Sequence, residues 1–507
     1  MISPKLSTNT ECFVKGEKIL KKNDIKEKDD NSSEELRVNI LPYDPRMKPT
    51  DPEKLNTKRT ALISLSFFIV LLAWSYFNFK VPLILDDVLN GNPFKDLIKG
   101  LIMAIDNIVA VLLQPYFGDL SDRTKSKYGR RMPFIIIGTL TSAVFFVIIP
   151  WIRVLAGLVL IILLFDIAMS IYRSASIAIL PDYTTEKIYS KASGLQQLIA
   201  NIGGIFGFAV PLLVGILPLE EGTLWFDAIG FIIVAVLMVI LLIVQNLFIK
   251  ETPTGDKFLE ISENRLEVDS KSFKVKVSNR PIEIEKRRKL QIRSYSDAAR
   301  ILKENKNFAY FLGTIIFMYL AFASVESFFS SFAVDFINIS ESTASTLFLA
   351  YSGPMILVAY FVGLVGQSEK IGRKNAVKIF LIWIIISVSV MSFVVVPYIY
   401  NNHQPIITLI ILALISIPWM GFIVNSFPII WSLAPEEEVG IYTGIYYTFN
   451  QAAYALAPVV FGGILTSFGF LGTYRYVVMF PFILICIVIA FLFMFKVKGG
   501  EANEKNI

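Results

Sequence analysis

Gly118-Asp119-Leu120-Ser121-Asp122-Arg123, followed after five residues by Gly129-Arg130-Arg131-Met132-Pro133-Phe134, decides the fold. This polar, basic stretch lies between two long apolar runs. A worn copy of it follows much later: Gly363-Leu364-Val365-Gly366-Gln367-Ser368-Glu369-Lys370, then Gly372-Arg373-Lys374. Two further pairs keep nearly the same offset. Leu180-Pro181-Asp182 answers to Ala434-Pro435-Glu436, and Asp86 answers to Asp335. The three offsets are 245, 254 and 249 residues, so the chain reads as two copies of one unit.

Working outward, the runs around these motifs are long enough to cross a bilayer, which needs roughly 20 apolar residues per helix. Twelve such stretches fall near 61–85, 98–117, 132–150, 154–179, 192–217, 226–249, 308–334, 343–366, 376–397, 405–432, 441–467 and 474–496. The 507 residues are 54% hydrophobic and 18% charged, against about 25% charged in a soluble domain. The expected fold is therefore an all-α membrane protein of two six-helix bundles, 59–249 and 306–496. A polar N-terminal tail covers 1–58 without an apolar signal region, a central loop covers 250–305, and a short tail covers 497–507. The run Lys286-Arg287-Arg288-Lys289 in the central loop reads as an ordinary basic loop, with anionic lipid as the other reading.

Lysine and arginine set the orientation. The loops in register with 119–131 hold 11 of them and the alternate loops 3. Both tails and the central loop are therefore expected in the cytoplasm, and the membrane is expected to be the plasma membrane. Cys12 and Cys486 allow no disulfide framework, and a lone His403 excludes a multi-histidine metal centre. No phosphate-binding glycine loop or nucleophile–base pair stands out, so an enzyme is not expected, nor a nucleic-acid partner.

The motif 118–134 resembles the loop signature of the major facilitator superfamily. Gln114-Pro115-x-x-Gly118-x-x-Ser121-Asp122-Arg123 resembles more narrowly the plant sucrose transporters and their proton-coupled sugar relatives, near the glycoside–pentoside–hexuronide symporters. The resemblance implies twelve helices in two pseudo-symmetric bundles that rock about a mid-membrane site. It makes Gly118, Asp122, Arg123, Gly129, Arg130 and Arg131 a cytoplasmic latch for the outward-open state. Gly118 would let two helices approach closely. Asp122 would accept from amides at a neighbouring helix N-terminus. The arginines would pair with Asp182 and Glu436. The second copy has Gln367 where an acid belongs.

Ionisable groups at membrane depth are costly and usually functional. Lys80, Asp106, Asp166, Arg173 and Glu326 stand out, and one negative charge among them lacks a partner. A proton site needs a carboxyl made easier to protonate by burial, with a cation near enough to release the proton. Asp166, sixteen residues before Asp182, has the spacing of the sucrose transporters' proton site. Their intramembrane arginine would fall on Ile177; here it appears one turn earlier, as Arg173. Asp106 and Glu326 are further cation-coupling candidates, each with inter-helix pairing as the alternative. The paired acids of melibiose-type symporters are absent, since Gln114 and Ala110 take their places. Lys80 is expected to snorkel.

A sugar needs aromatic faces and amides. Trp74, Asn78, Asn107, Tyr319, Asn450 and Gln451 are the substrate candidates, with Tyr76, Trp419, Asn425, Tyr446 and Tyr447 behind them. Asn78 adjoins Phe77, the repeat counterpart of Glu326. The expected function is a cation-coupled symporter, H⁺ or Na⁺ with no cofactor, for a di- or oligosaccharide, working as a monomer. A proton-coupled exporter and a sugar sensor that does not transport are the alternatives.

Overall fold

In a computed structural model, residues 55–124, 126, 128–184, 186–249, 299–368, 370–402, 405–435 and 438–499 are described. Most of the N-terminal tail, most of the central loop with its basic run, Cys12, Glu369, His403 and Glu436 lie outside them.

Among the described residues, twelve long helices follow in order. The first group is α1 (Thr57–Val88), α2 (Lys95–Arg123), α3 (Met132–Ile148), α4 (Leu155–Tyr183), α5 (Glu186–Gly215) and α6 (Leu224–Phe248). The second is α7 (Lys306–Ser331), α8 (Glu341–Gln367), α9 (Gly372–Val390), α10 (Ile406–Leu433), α11 (Val439–Ser467) and α12 (Met479–Lys496). A π-helical turn at Phe332–Phe336 extends α7, and another at Met391–Val395 carries α9 on into Val396–Asn402. Eleven of these segments are apolar and long enough to span a bilayer. The twelfth stretch expected from sequence is α2. It carries Lys95, Asp96, Lys99, Asp106, Asp119, Asp122 and Arg123 along its length; Asp96 and Lys99 are buried, and the exposed charges Asp119, Asp122 and Arg123 gather at its last turns.

Local signals fix the helix starts. Asn56, Thr223, Asn305 and Ser340 each accept a backbone N–H from three residues on, satisfying one of the four amides a helix start leaves open. Pro133 sits in the first turn of α3, where its missing N–H costs nothing. Each bundle has its own apolar core. Tyr76, Phe146, Phe165 and Phe231 pack the first; Phe308, Phe328, Phe332 and Phe461 pack the second. Outward-facing Ile137, Val144, Ile240, Ile386, Phe393 and Leu492 remain exposed, as lipid contact requires. Exposed Trp151 and Trp225 meet edge to face at 5.2 Å where an aromatic belt belongs.

The halves meet chiefly at the end where α1 finishes and α2 starts, called here the far end; the opposite end carries loop 119–131. At the far end α2 lies directly on α11. A Cβ on Gly100 would stand 2.0 Å from the Pro458 carbonyl oxygen, and one on Gly462 would stand 2.3 Å from that of Asp96. The Leu97 amide donates to Thr466 Oγ1 at 3.0 Å. Phe348 of α8 packs against Phe79 of α1 and Phe208 of α5. Proline interrupts the helices that face the other half: Pro82 in α1, Pro115 in α2, Pro211 in α5, Pro354 in α8 and Pro458 in α11.

Candidate functional site

The far end is held by two charged clasps. In the first, Lys99 of α2 is fully buried and donates to Asp86 Oδ1 and Oδ2 at 2.8 and 2.9 Å and to Ser331 Oγ of α7 at 2.9 Å. Ser331 donates in turn to Asp86. Asp96, one turn before Lys99, receives Arg475 Nε from the other half at 2.6 Å. In the second, Lys80 of α1 contacts Asp227 of α6 at 2.6 Å and bonds to Glu341 at the start of α8. Arg153 closes on Asp227, while Glu221 accepts from the Glu341 amide at 3.0 Å and from Ser342 Oγ at 3.1 Å. The expected snorkelling of Lys80 is thus corrected. Its side chain is 3% exposed because two acids neutralise it where it stands. Asp227 and Glu341 sit in the first turns of α6 and α8, where charge reads as helix capping, and so they escape notice in the sequence.

With Lys80 accounted for, four ionisable groups remain at depth, and the structure gathers them. Asp106 lies within electrostatic reach of Glu326 and Arg173, and Asp166 within reach of Asp106. Asp166 is buried in α4, and neither carboxyl oxygen has a hydrogen-bond partner among the described residues. Asp106 accepts from the Asn107 side-chain amide at 2.5 Å. Glu326 accepts from Asn78 Nδ2 at 2.7 Å, across the interface between halves. Arg173 is half-buried and makes no ion pair among the described residues. Asp106 and Glu326 thus share one arginine, while Asp166 has only another acid, Asp106, in reach.

A cavity of about 340 Å³ opens beside this cluster, with Glu326 in its wall. Ser75 of α1 and Asn201 of α5 line it from the first half. From the second half come Phe322, Tyr351, Ser352, Trp419 and Tyr454 with a set of aliphatic side chains. Trp419 stacks on Phe322 at 4.6 Å and 12°, and its indole N–H has no partner among the described residues.

The six substrate candidates from sequence fall around this cavity rather than in its wall. Asn78 and Asn107 hold Glu326 and Asp106 instead. Trp74 stacks with Phe77 and Phe165. Tyr319 packs on Trp419 and Tyr454, with its hydroxyl 3.3 Å from that of Tyr446. Asn450 is buried with Oδ1 unpartnered, and Gln451 is half-buried beside it. Two of the wider candidates belong to the scaffold. Tyr76 fills the space above Gly230, and Asn425 fills that above Gly366, donating to the Val362 and Gly421 carbonyls.

At the opposite end the loop motif forms a compact knot. Gly129 has φ +92° and its repeat counterpart Gly372 has φ +72°, a region that L side chains rarely enter. The turn aims the two following arginines at the end of α4. Arg130 reaches Asp182 at 2.5 Å and Arg131 reaches it at 3.1 Å. Arg131 also donates to Ser121 and to Asp122. Asp122 is therefore engaged by a guanidinium where a neighbouring helix N-terminus was expected. Arg123 pairs with Asp119 on its own helix, one turn back and exposed to solvent. Gly118 lies against α4, 3.2 Å from Ser174 Oγ by its missing Cβ; Gly363 lies likewise 3.3 Å from Val424 of α10.

Comparison with known proteins agrees with this geometry. The family model described as Major Facilitator Superfamily matches residues 63–458 and 311–506. A lactose permease from Lactobacillus helveticus is 28% identical over 137 residues, 25% of this chain and only 20% of the permease's length. Among solved structures, a bacterial homolog of the human lysosomal transporter Spinster, inward-facing and unoccupied, gives a TM-score of 0.62 at 13% identity, covering 88% of this chain and 98% of that one. The nucleoside transporter NupG gives 0.60 at 16%, covering 88% and 100%. At such identities the structures speak for the fold alone. With its repeated loop motif, its paired six-helix bundles and a family model running nearly end to end, the chain belongs to the Major Facilitator Superfamily.

Proposed function

We propose that this secondary transporter is a proton-driven symporter that takes up a di- or oligosaccharide, or a related glycoside, by alternating access. One observation carries the reading: Asp166 is buried with both oxygens unpartnered among the described residues, next to Asp106, which shares the one arginine of the group with Glu326, beside a cavity that opens between the halves. A carboxylate cannot stay ionised there without a partner, because the desolvation of an isolated charge is far larger than any nearby contact returns. A proton that enters with the substrate and is released to water as Arg173 stabilises the carboxylates of the cluster resolves the imbalance in each half-cycle. The sugar is favoured by stacked aromatics flanked by hydroxyls and amides, by the sequence likeness of the 114–134 motif, and by the short match to a lactose permease.

In this reading both tails are cytoplasmic in a plasma membrane and the protein acts as a monomer. The clasped far end then faces outward and the conformation is inward-facing. The knot at Arg130 and Arg131 ties the cytoplasmic ends of α2, α3 and α4 together within the first half, so that they move as one body.

The test is uptake into proteoliposomes under an imposed pH gradient, over a panel of radiolabelled sugars. Accumulation should follow the proton gradient for at least one of them. Asp166→Asn should abolish accumulation while leaving sugar exchange down its own gradient intact. No uptake of any sugar under either a proton or a sodium gradient would refute the substrate class; undiminished accumulation by Asp166→Asn would remove this carboxyl from coupling.

A further inference from the structure

Both halves carry basic residues at the end that holds the loop motif, and they use them differently. In the first half Arg130 and Arg131 are taken up by Asp182 and Asp122. In the second half a lysine-rich seam forms where α12 finishes against the starts of α7 and α9. Lys378, in the second turn of α9, sets its ammonium 5.3 Å from the ring centre of Phe495 on α12. Lys496, the next residue, sets its own 5.6 Å from the ring centre of Tyr310 on α7. The Lys498 amide donates to Asn307 Oδ1 at 3.0 Å, which brings a third lysine to the same place. Lys496 and Lys498 are exposed and make no ion pair among the described residues. Glu304 and Glu438, acids at this end of the same half, are both engaged by Arg300. Phe495 is 68% exposed, and Leu492 on α12 with Ile379 and Ile382 on α9 extend an apolar face away from the lysines. Basic residues that only set orientation need no such arrangement. Six residues after its own turn glycine, where the second half has Lys378, the first half has the fully buried Ile135.

We infer that this seam holds one anionic phospholipid of the surrounding leaflet, its phosphate among Lys378, Lys496 and Lys498 and its acyl chains along Phe495, Leu492 and Ile379. Charge complementarity selects the headgroup. A zwitterionic lipid brings its own cation to the phosphate and leaves three ammoniums facing a neutral partner, whereas an anionic lipid leaves its charge to them. A lysine so placed at a membrane surface improves affinity for an anionic lipid about fivefold. The rings of Phe495 and Tyr310 hold two of the ammoniums by their faces, so less side-chain freedom is lost when the phosphate arrives. The apolar face selects the tail: acyl chains gain from Phe495 and Leu492 what a free phosphate ion cannot. The site lies on the outer surface of the second half, so it is independent of the solute that the cavity carries.

The test is titration of the full-length protein in non-ionic detergent with phosphatidylglycerol and with phosphatidylcholine of the same acyl chains, bound lipids being counted by native mass spectrometry. One phosphatidylglycerol should be held at least tenfold more tightly than phosphatidylcholine. Lys378→Gln, Lys496→Gln and Lys498→Gln should each weaken it about fivefold and leave phosphatidylcholine binding as it was, which separates loss of the site from loss of the fold. Lys58→Gln and Lys191→Gln remove the same charge from exposed positions at this end of the first half and should change nothing. Glycerol 1-phosphate, the anionic group without its chains, should fail to displace the lipid. Equal binding of the two lipids overturns the inference. So does a triple Lys378→Gln, Lys496→Gln, Lys498→Gln variant that holds phosphatidylglycerol as the parent does, since the lipid would then sit elsewhere. Equal weakening by the first-half variants makes the effect one of overall charge and overturns the site, and displacement by glycerol 1-phosphate makes it a phosphate site and overturns the lipid.

Discussion

Replacing Lys99 with Met should unfasten the far end. The side chain is fully buried, and its ammonium bonds both oxygens of Asp86 and the hydroxyl of Ser331 in the opposite half. Methionine keeps the length and apolar stem but removes the charge, leaving the Asp86 carboxylate stranded in a site where only 10% of its surface meets solvent. Removing one partner of a buried ion pair costs about 3–5 kcal/mol. Lys95 lies 3.6 Å from Asp86 and compensates part of the loss, so the lower figure applies. The cost falls on the clasped state alone, because opening lets water reach the carboxylate. About 3 kcal/mol corresponds to roughly a 150-fold shift of the equilibrium toward the far-end-open form. Spin labels on cysteines placed at exposed Asn90 and Phe470, one on each half at this end, would read it as a transfer of population from a short distance to a longer one. Asp86→Asn in the same protein should restore most of the short distance, since the stranded charge is then gone. An unchanged distance distribution in Lys99→Met, or a double variant as open as the single one, would refute the assignment of the clasp.

Three further outcomes follow from the packing. Gly100→Val should force the same end open, because the α2–α11 contact has no room for any side chain, whereas Gly444→Ala meets open space and should leave the spin-label distances as they are. Arg131→Ala strips Ser121, Asp122 and Asp182 of a buried guanidinium and should lower thermal stability by about 3–5 kcal/mol. Arg123→Ala loses only an exposed one-turn pair and should fall within about 1 kcal/mol of the parent, measured by the same thermal unfolding. Asn425→Ala should cost roughly 1 kcal/mol of stability for its lost hydrogen bond to the Val362 carbonyl of α8 and leave substrate affinity unchanged in a binding assay, as befits a scaffold residue.

Much of the architecture could be read from the chain because a lipid environment permits so little else. An apolar run of sufficient length becomes a helix, since only a helix satisfies its own backbone there. The doubled loop motif announces the pseudo-repeat, which reappears as matching glycine turns at 129 and 372. Asp166, Asp106, Glu326 and Arg173 stand out in sequence because charge in an apolar run is rare, and the fold does bring them together. What the chain conceals is partnership over long separation. Lys99 reads as the start of a span, and nothing near it indicates Ser331; Asp96 and Arg475 read as loop-end charges 379 residues apart. Lys80 was misjudged for the same reason, as its neutralising acids come from α6 and α8. The cavity wall was hidden differently. Ser75, Asn201 and Tyr351 are ordinary residues of ordinary helices, and only their position around the cavity between the halves sets them apart.

The prolines in the helices that meet at the interface have one more consequence. A proline has no N–H, so the carbonyl four residues back is released from the helical ladder. In α1, α2, α5, α8 and α11 the released oxygens belong to Asn78, Val111, Gly207, Ala350 and Tyr454. Asn78 grips Glu326, Tyr454 borders the cavity, and Ala350 precedes Tyr351. The main chain itself thereby offers one neutral acceptor in each of these five helices, which a water or a passing hydroxyl can use in place of the missing helical partner.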